Sequence, residues 1–167
     1  MKKLLILASV MRSQLESGLW GAVKDTWADD VIKHRFPNIR FYGYCAMSKD
    51  EKHQSPHDTL GYIGVDEKLV LLPQDDDLFS QFDRTRATMR TLIQHLRDAD
   101  YVLFTNCSTY INVPLLNDFV QSLSEQDLRI YCGRVISAQY MSGPYSWCFY
   151  GEGSAILLRQ PWINYLL

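Results

Sequence analysis

The hydrophobic pattern of the chain alternates between short apolar runs and longer amphipathic segments. The runs are rich in aliphatic, β-branched or aromatic residues and predict strands at residues 3–10, 39–46, 68–72, 101–104 and 128–136. Apolar positions at helical spacing predict helices at about 78–97 and 115–123, and a first helix that begins near Ser13 or Ser17 and ends near residue 33. Strands that alternate with helices indicate an α/β fold with a twisted, mostly parallel sheet.

Two segments of the chain lack this regular pattern. Residues 47–66 are polar, contain two glycines and a proline, and predict a long loop of the kind that is often functional. Residues 141–153 are dense in Gly, Pro, Tyr and Trp, and a short apolar stretch follows at 154–158. At 167 residues, the chain is expected to form one domain spanning 1–167 with a single core.

Composition narrows the classes of partner. The net charge of -2 gives no electrostatic reason to expect nucleic acid or an anionic membrane as the main partner. No apolar run reaches the roughly 18–20 residues that a membrane span needs, and the run after Lys2 and Lys3 breaks at Ser9 and Arg12, too early for a signal peptide. The four cysteines form no C-x-x-C pair, which predicts reduced thiols and a cytoplasmic location.

A small polar cluster follows the strand at 101–104 and precedes a proline that opens the next helix. In open α/β sheets, binding crevices lie outside the carboxyl ends of the strands. We therefore expect Asn106 and Ser108 to lie beside the ligand. The same argument places Ser9 and Arg12, which follow the first strand, near a base, ribose or diphosphate. A surface arginine on a connecting loop is the plainer interpretation of Arg12.

Two other charged clusters allow more than one interpretation. The run Asp75-Asp76-Asp77 resembles a metal-binding pair of acids, but it lies just before a predicted helix, where the helix dipole favours acidic residues. We interpret it as a helix start. The basic residues of the following helix, Arg84, Arg86 and Arg90, form either an anion-binding face or an ordinary solvated helix surface. No G-x-G-x-x-G sequence supports a dinucleotide site.

The segment 101–112 resembles the metal-binding segment of the β-1,3-galactosyltransferase and Fringe-like glycosyltransferases, which reads roughly Y-V-x-K-T-D-D-D-x-F-V-N. The identical positions are Tyr101, Val102, Thr105 and Asn112. The three acids of the family are replaced by Asn106, Cys107 and Ser108. The match is therefore good in order and spacing, and weak at the metal-binding positions.

Three further segments extend the resemblance over nearly the whole chain. Thr26-Trp27 matches a T-W of the family's first helix, although Trp27 is expected to be a core residue in any case. Arg90 aligns with a lysine that faces the sugar nucleotide in the family. Residues 147–158 are similar to its Gly-rich segment, with Gly151 and Gly153 matching and Glu152 in place of the middle glycine.

The resemblance implies a GT-A fold, a Rossmann-like nucleotide-diphospho-sugar transferase domain. The implied activity is transfer of a hexose, with inversion, from a nucleotide sugar such as a UDP-sugar to a glycan hydroxyl. Ser9, Arg12, Arg90, Asn106, Ser108, Gly151 and Gly153 would then bind the nucleotide sugar, and Glu152 would act as general base. No firmly bound cofactor is implied, only a weak Mn²⁺ or Mg²⁺ that accompanies the donor.

Two alternatives stay open at the level of sequence. The lost acids favour a glycosyltransferase-like module that binds glycan or nucleotide with little or no turnover. An unrelated flavodoxin-like nucleotide-binding protein would instead have a purely parallel sheet. The acidic segment that follows the Gly-rich turn in the family is missing before Leu167, which indicates a C-terminally truncated or minimal member.

Overall fold

The computed structural model describes residues 1–48, 50–51, 62–63, 68–77, 80–124, 131–132, 135–139, 147–151 and 155–159. These residues form an α/β fold. The strands are β1 (Leu4–Ser9), β2 (Ile39–Ala46), β3 (Tyr62–Ile63), β4 (Leu69–Leu72), β5 (Tyr101–Asn106), β6 (Tyr131–Cys132), β7 (Val135–Gln139), β8 (Trp147–Gly151) and β9 (Ala155–Arg159). The helices are α1 (Arg12–Glu16), α2 (Leu19–Asp25), α3 (Asp29–Ile32), α4 (Gln81–Thr91), α5 (Ile93–Asp98) and α6 (Val113–Ser122).

The main sheet has a parallel centre and antiparallel additions at its sides. Its order in the described residues is β3-β4-β2-β1-β5-β9-β6, in which β4, β2, β1 and β5 run parallel. The strands β3 and β9 run antiparallel to β4 and β5, respectively. The predicted α/β fold with a mostly parallel sheet is confirmed. The antiparallel strands make the sheet mixed, unlike the purely parallel sheet of a flavodoxin-like protein.

Both faces of the sheet are covered by helices, as continuous apolar strands require. Leu4 and Ile6 of β1 belong to a core cluster that includes residues of α2, α3 and α6. The intervening Leu5 and Leu7 belong to a second cluster with residues of α4 and α5. All six residues of β1 are buried, because successive side chains of a strand point to opposite faces.

The predicted first helix is instead three short helices, α1, α2 and α3. Gly18 stands between α1 and α2 with a φ of 82°, in the left-handed region that glycine enters at little cost. Thr26 ends α2, and its hydroxyl donates to the carbonyl oxygen of Ala22 at 2.7 Å. These breaks let the short helices pack along one face of the sheet. Trp27 packs edge-on against Phe41, with ring centroids 5.1 Å apart. The expected core position of Trp27 is confirmed.

Two other predicted elements are also divided. The helix expected at 78–97 is interrupted at Leu92, which separates α4 from α5 and is itself buried. The strand expected at 128–136 corresponds to two strands in different sheets: β6 pairs with β9, and β7 pairs with β8. Only Gly133 and Arg134 separate the two strands in the sequence, and so short an interruption does not by itself predict a change of sheet.

Strand order fixes where a ligand can enter. The chain passes from β1 outward to β2 and β4, and then returns to place β5 on the other side of β1. The carboxyl ends of β1 and β5 therefore flank a point where the direction of winding reverses, which is where open α/β sheets form crevices. No helix in the described ranges is long and apolar enough to cross a membrane.

Candidate functional site

A crevice of about 290 Å³ opens at the carboxyl ends of β1 and β5. The two strands are in register there, with Ser9 opposite Asn106. The residues that line the crevice are Ser9, Met11, Gln14, Asp77, Gln81, Arg84, Asn106 and Ser108. Three of the residues predicted to bind the ligand, Ser9, Asn106 and Ser108, are thus brought together at one place.

The turn after β5 separates its side chains between the crevice and the core. The backbone N–H of Cys107 donates to the carbonyl oxygen of Ser9 at 2.8 Å, and that of Thr109 donates to the carbonyl of Asn106 at 3.1 Å. Cys107 is buried in the core, whereas Asn106 and Ser108 on either side of it line the crevice. Asn112 then caps α6 by accepting a hydrogen bond from the Leu115 N–H.

The amide of Asn106 is oriented by its neighbours. Its Oδ1 accepts hydrogen bonds from the Ser108 hydroxyl at 2.9 Å and from the Thr109 hydroxyl at 2.6 Å. Those two bonds occupy both lone pairs of the oxygen, and they do not involve Nδ2. Asn106 therefore presents N–H groups to the crevice, and a ligand with oxygen acceptors matches it.

Arg84 forms part of the opposite wall, although sequence reasoning named it only as an alternative to Arg90. Only 2% of Arg84 is exposed. Its Nη1 donates to the carbonyl oxygens of Asp75 and Asp77, and lies 3.5 Å from Oδ1 of Asp76. Its Nε is buried and has no hydrogen-bond partner.

Asp76 connects this wall to the first strand. Its Oδ2 accepts the backbone N–H of Arg12, the first residue of α1, at 2.6 Å. Asp77 uses its two carboxylate oxygens to accept the N–H and the hydroxyl of Ser80 at the start of α4, at 2.8 and 2.9 Å. The acidic run is thus engaged in fixing the loop before α4, as its interpretation as a helix start predicts.

The other predicted cations are not in the crevice lining. Arg12 pairs with Glu51 at 2.8 Å and with Glu16 at 3.5 Å, so carboxylates neutralise its guanidinium. Burial alone would raise the pKa of Glu51, but hydrogen bonds from Ser48 and the charge of Arg12 hold it below its usual value. Arg90 is exposed and lies about 9 Å further along α4 than Arg84, at 1.5 Å per residue.

Of the remaining predicted residues, two lie outside the described part of the chain and two can be placed. Gly151 is the last residue of β8 and lies opposite Val135 of β7. Glu152, the predicted base, and Gly153 lie outside the described residues. The hydroxyl of Ser9 bonds to the phenol of Tyr44, whose pKa is raised chiefly by burial. The side chain of Ser9 is thus held in place as part of the crevice wall.

Cys45 lies on β2 near the charged residues of this wall and offers a test of their arrangement. Burial, followed by the negative charge of Asp76, raises its pKa from 9.0 to about 11. The folded thiol therefore keeps its proton at pH values where the unfolded thiol loses it. This contribution to stability is complete below pH 9 and is lost as pH rises toward 11.

We expect the free energy of unfolding to fall by about 1 kcal/mol more between pH 8 and pH 10 in the wild type than in Cys45→Ala. Urea denaturation at both pH values measures this difference. The alanine variant starts from a lower stability, because it leaves a cavity, so only the change with pH is compared. Equal changes in the two proteins would contradict the buried, protonated thiol.

A second, smaller cavity of about 190 Å³ lies at the opposite edge of the sheet, where β1 begins. Arg40 donates to Nδ1 of His95 at 2.6 Å, which leaves Nε2 to donate to the phenol oxygen of Tyr42 at 3.1 Å. Burial and then the charge of Arg40 lower the pKa of His95. The polar side chains at this cavity hydrogen-bond to one another. The cavity lies away from the carboxyl ends of the strands, which hold ligands in this class of sheet.

Comparison with known proteins adds no identification to this geometry. No family model matches the sequence, and no curated protein matches it significantly. The resemblance to the galactosyltransferase and Fringe-like enzymes stays a hypothesis that depends on the residues themselves. The crevice between β1 and β5 is therefore the basis for the functional assignment.

Proposed function

We propose that the chain is a glycosyltransferase that binds a nucleotide sugar in the crevice between β1 and β5 and transfers a hexose to a glycan hydroxyl. The proposal includes a GT-A type of fold and a UDP-sugar as the donor. The observation that carries it is the convergence of Ser9, Asn106 and Ser108 at the reversal point of the sheet. That edge is where α/β sheets bind nucleotides.

The groups in the crevice suit the phosphate and ribose part of such a donor. The Asn106 amide offers N–H groups, and Ser108 is an exposed hydroxyl next to it. Arg84 adds a buried guanidinium to the wall, where its Nη1 lies 3.5 Å from Oδ1 of Asp76. Hydrogen bonds from charged or amide donors to phosphate oxygens are among the stronger polar interactions in proteins.

The transfer itself breaks one bond and forms another. The acceptor hydroxyl loses its proton to a base, and its oxygen forms a bond to the anomeric carbon of the hexose. The bond from that carbon to the phosphate oxygen breaks, and the nucleoside diphosphate leaves with the bonding electrons. The donors that surround the leaving phosphate stabilise its growing negative charge.

A binding module without turnover is the second candidate. The replacement of the family's acids by Asn106 and Ser108 favours it, since a diphosphate leaving group gains less from neutral side chains than from a metal held by two carboxylates. This candidate shares the ligand of the first one. The two differ only in whether UDP is released when donor and acceptor are both present.

Calorimetric titration with UDP and with UDP-hexoses tests the binding step. We expect saturable binding in wild type, and a dissociation constant raised at least tenfold in Asn106→Ala, because hydrogen bonds to a charged group are worth about 1.5–3 kcal/mol. Arg40→Ala, at the opposite edge of the sheet, is the matched control and should bind like wild type. Absence of binding to any nucleotide sugar would refute the proposal.

Measurement of UDP release then separates the two candidates. Enzymatic turnover predicts release of UDP from a UDP-hexose that increases when glycan acceptors are added and falls in Asn106→Ala. Binding of UDP-hexose with no release across a panel of acceptors would favour the binding module instead.

A further inference from the structure

The divalent cation implied by the resemblance needs oxygen ligands, and the acidic pair that supplies them in the family is absent from the crevice lining. Mn²⁺ and Mg²⁺ bind carboxylate, carbonyl and water oxygens. Asn106 stands where the family has an acid, but its Oδ1 already accepts hydroxyl protons from Ser108 and Thr109. The group that remains, Nδ2, is a donor and repels a cation.

The acids close to the crevice are committed as well. Asp77 accepts two hydrogen bonds from Ser80, and Asp76 accepts the Arg12 N–H while its other oxygen faces the Arg84 guanidinium. Within the described ranges, no group of three His, Cys, Asp or Glu side chains is arranged to hold a metal ion. The residues present therefore do not fit the cation.

Two donors of the crevice lining have no acceptor in the described part of the chain. The Nδ2 of Asn106 on one wall takes no part in the bonds that fix its oxygen. On the other wall Arg84 is 2% exposed, faces Asp76 through Nη1 at 3.5 Å, and has a buried Nε without a hydrogen-bond partner. A buried donor without an acceptor is costly, and a ligand that supplies an acceptor removes that cost.

We propose that this crevice binds the diphosphate of its donor directly, through the Asn106 amide and the Arg84 guanidinium, without a divalent cation. The inference rests on the proposed function, because it concerns the same site and the same donor. The Arg84 Nη1 is held by the carbonyl oxygens of Asp75 and Asp77, so Nε is the donor that remains for a phosphate oxygen, and the guanidinium stays charged at every physiological pH. The guanidinium can thus offset the charge of the leaving diphosphate, for which the resemblance implies a metal.

The first test is the affinity for UDP in EDTA and in millimolar Mn²⁺, measured by calorimetry on the wild-type chain. We expect dissociation constants that agree within about twofold. Tighter binding by tenfold or more in Mn²⁺ would overturn the inference and leave the proposed function intact. No binding in either condition would overturn the proposed function, and this inference with it.

The second test converts the amide into the acid of the family. Asn106→Asp keeps an oxygen for Ser108 and Thr109, so the turn should fold as before. The variant loses the Nδ2 donors and adds a negative charge facing the diphosphate. In EDTA its dissociation constant for UDP should rise at least tenfold, and Mn²⁺ should recover most of the loss, because a carboxylate is a good ligand for that ion.

The control for the second test is Asn106→Ala, which removes the donors and supplies no carboxylate. Its loss of affinity should be the same with and without Mn²⁺. If Asn106→Asp binds UDP in EDTA as tightly as wild type does, the amide donors have no role and the inference is wrong. Thermal melting of each variant confirms that the comparison is made between folded proteins.

Discussion

Arg84→Met is expected to lower the free energy of unfolding by about 3–5 kcal/mol, because the change removes one partner of a buried ion pair. Methionine retains much of the volume of the aliphatic part of the arginine side chain, so the change mainly removes the polar contacts of the guanidinium. The carbonyl oxygens of Asp75 and Asp77 lose their donor, and Asp76 loses the opposite charge that faces it. Chemical denaturation at neutral pH measures the effect.

Arg90→Met is the matched control for this experiment. It makes the same chemical change six residues along the same helix, at a position that is exposed. Substitutions at exposed positions away from such networks usually change stability by no more than about 0.5 kcal/mol. Similar losses in the two variants would show that Arg84 does not hold the loop before α4.

Gly43→Ala is also expected to have a large effect: it should lower the free energy of unfolding by about 2–3 kcal/mol, because the added methyl group overpacks the core. Gly43 lies in the centre of β2, paired with Ala8 on one side and Leu69 on the other. A methyl group there would lie 2.6 and 2.8 Å from two ring carbons of Trp20. That ring is rigid, 2% exposed and packed on Phe41 at 5.3 Å, so neither it nor the central strand can move easily.

Gly21→Ala, in the same part of the molecule, should have the opposite effect on stability. Gly21 lies within α2, and a methyl group there would meet no atom within 4 Å. Alanine in a helix interior is favoured over glycine by roughly 0.5–1 kcal/mol, so this variant should become more stable. A loss at Gly43 that does not exceed 0.5 kcal/mol would contradict the close packing of Trp20 against β2.

The strands of the parallel centre could be predicted from the sequence because they are buried on both faces. The runs of β1 and β4 are continuous and that of β2 is interrupted by the exposed Arg40, so the approximate bounds of all three follow from where apolar residues are concentrated. Asn106 and Ser108 could be predicted for a related reason. They come directly after such a run, and the ends of parallel strands meet at one edge of the sheet.

The helix breaks and the choice of arginine could not be predicted in the same way. Apolar spacing continues through Gly18 and Leu92, so the breaks depend on a left-handed glycine and on packing against the sheet. Arg84 and Arg90 occupy the same helix, and composition does not distinguish them. Only the fold shows that the first turns of α4 lie beside the carboxyl ends of the strands, with Arg84 in the crevice wall.

Ser9 and Asn106 are the last residues of β1 and β5, two inner strands of the sheet that are paired in register over their whole length. The binding groups are thus attached to strands whose backbones are hydrogen-bonded to a neighbouring strand on both sides. A change in the packing of the core around β1 and β5 would therefore also displace Ser9 and Asn106. Loss of core packing and loss of affinity should consequently occur together, so a variant that melts early through β1 should also bind poorly.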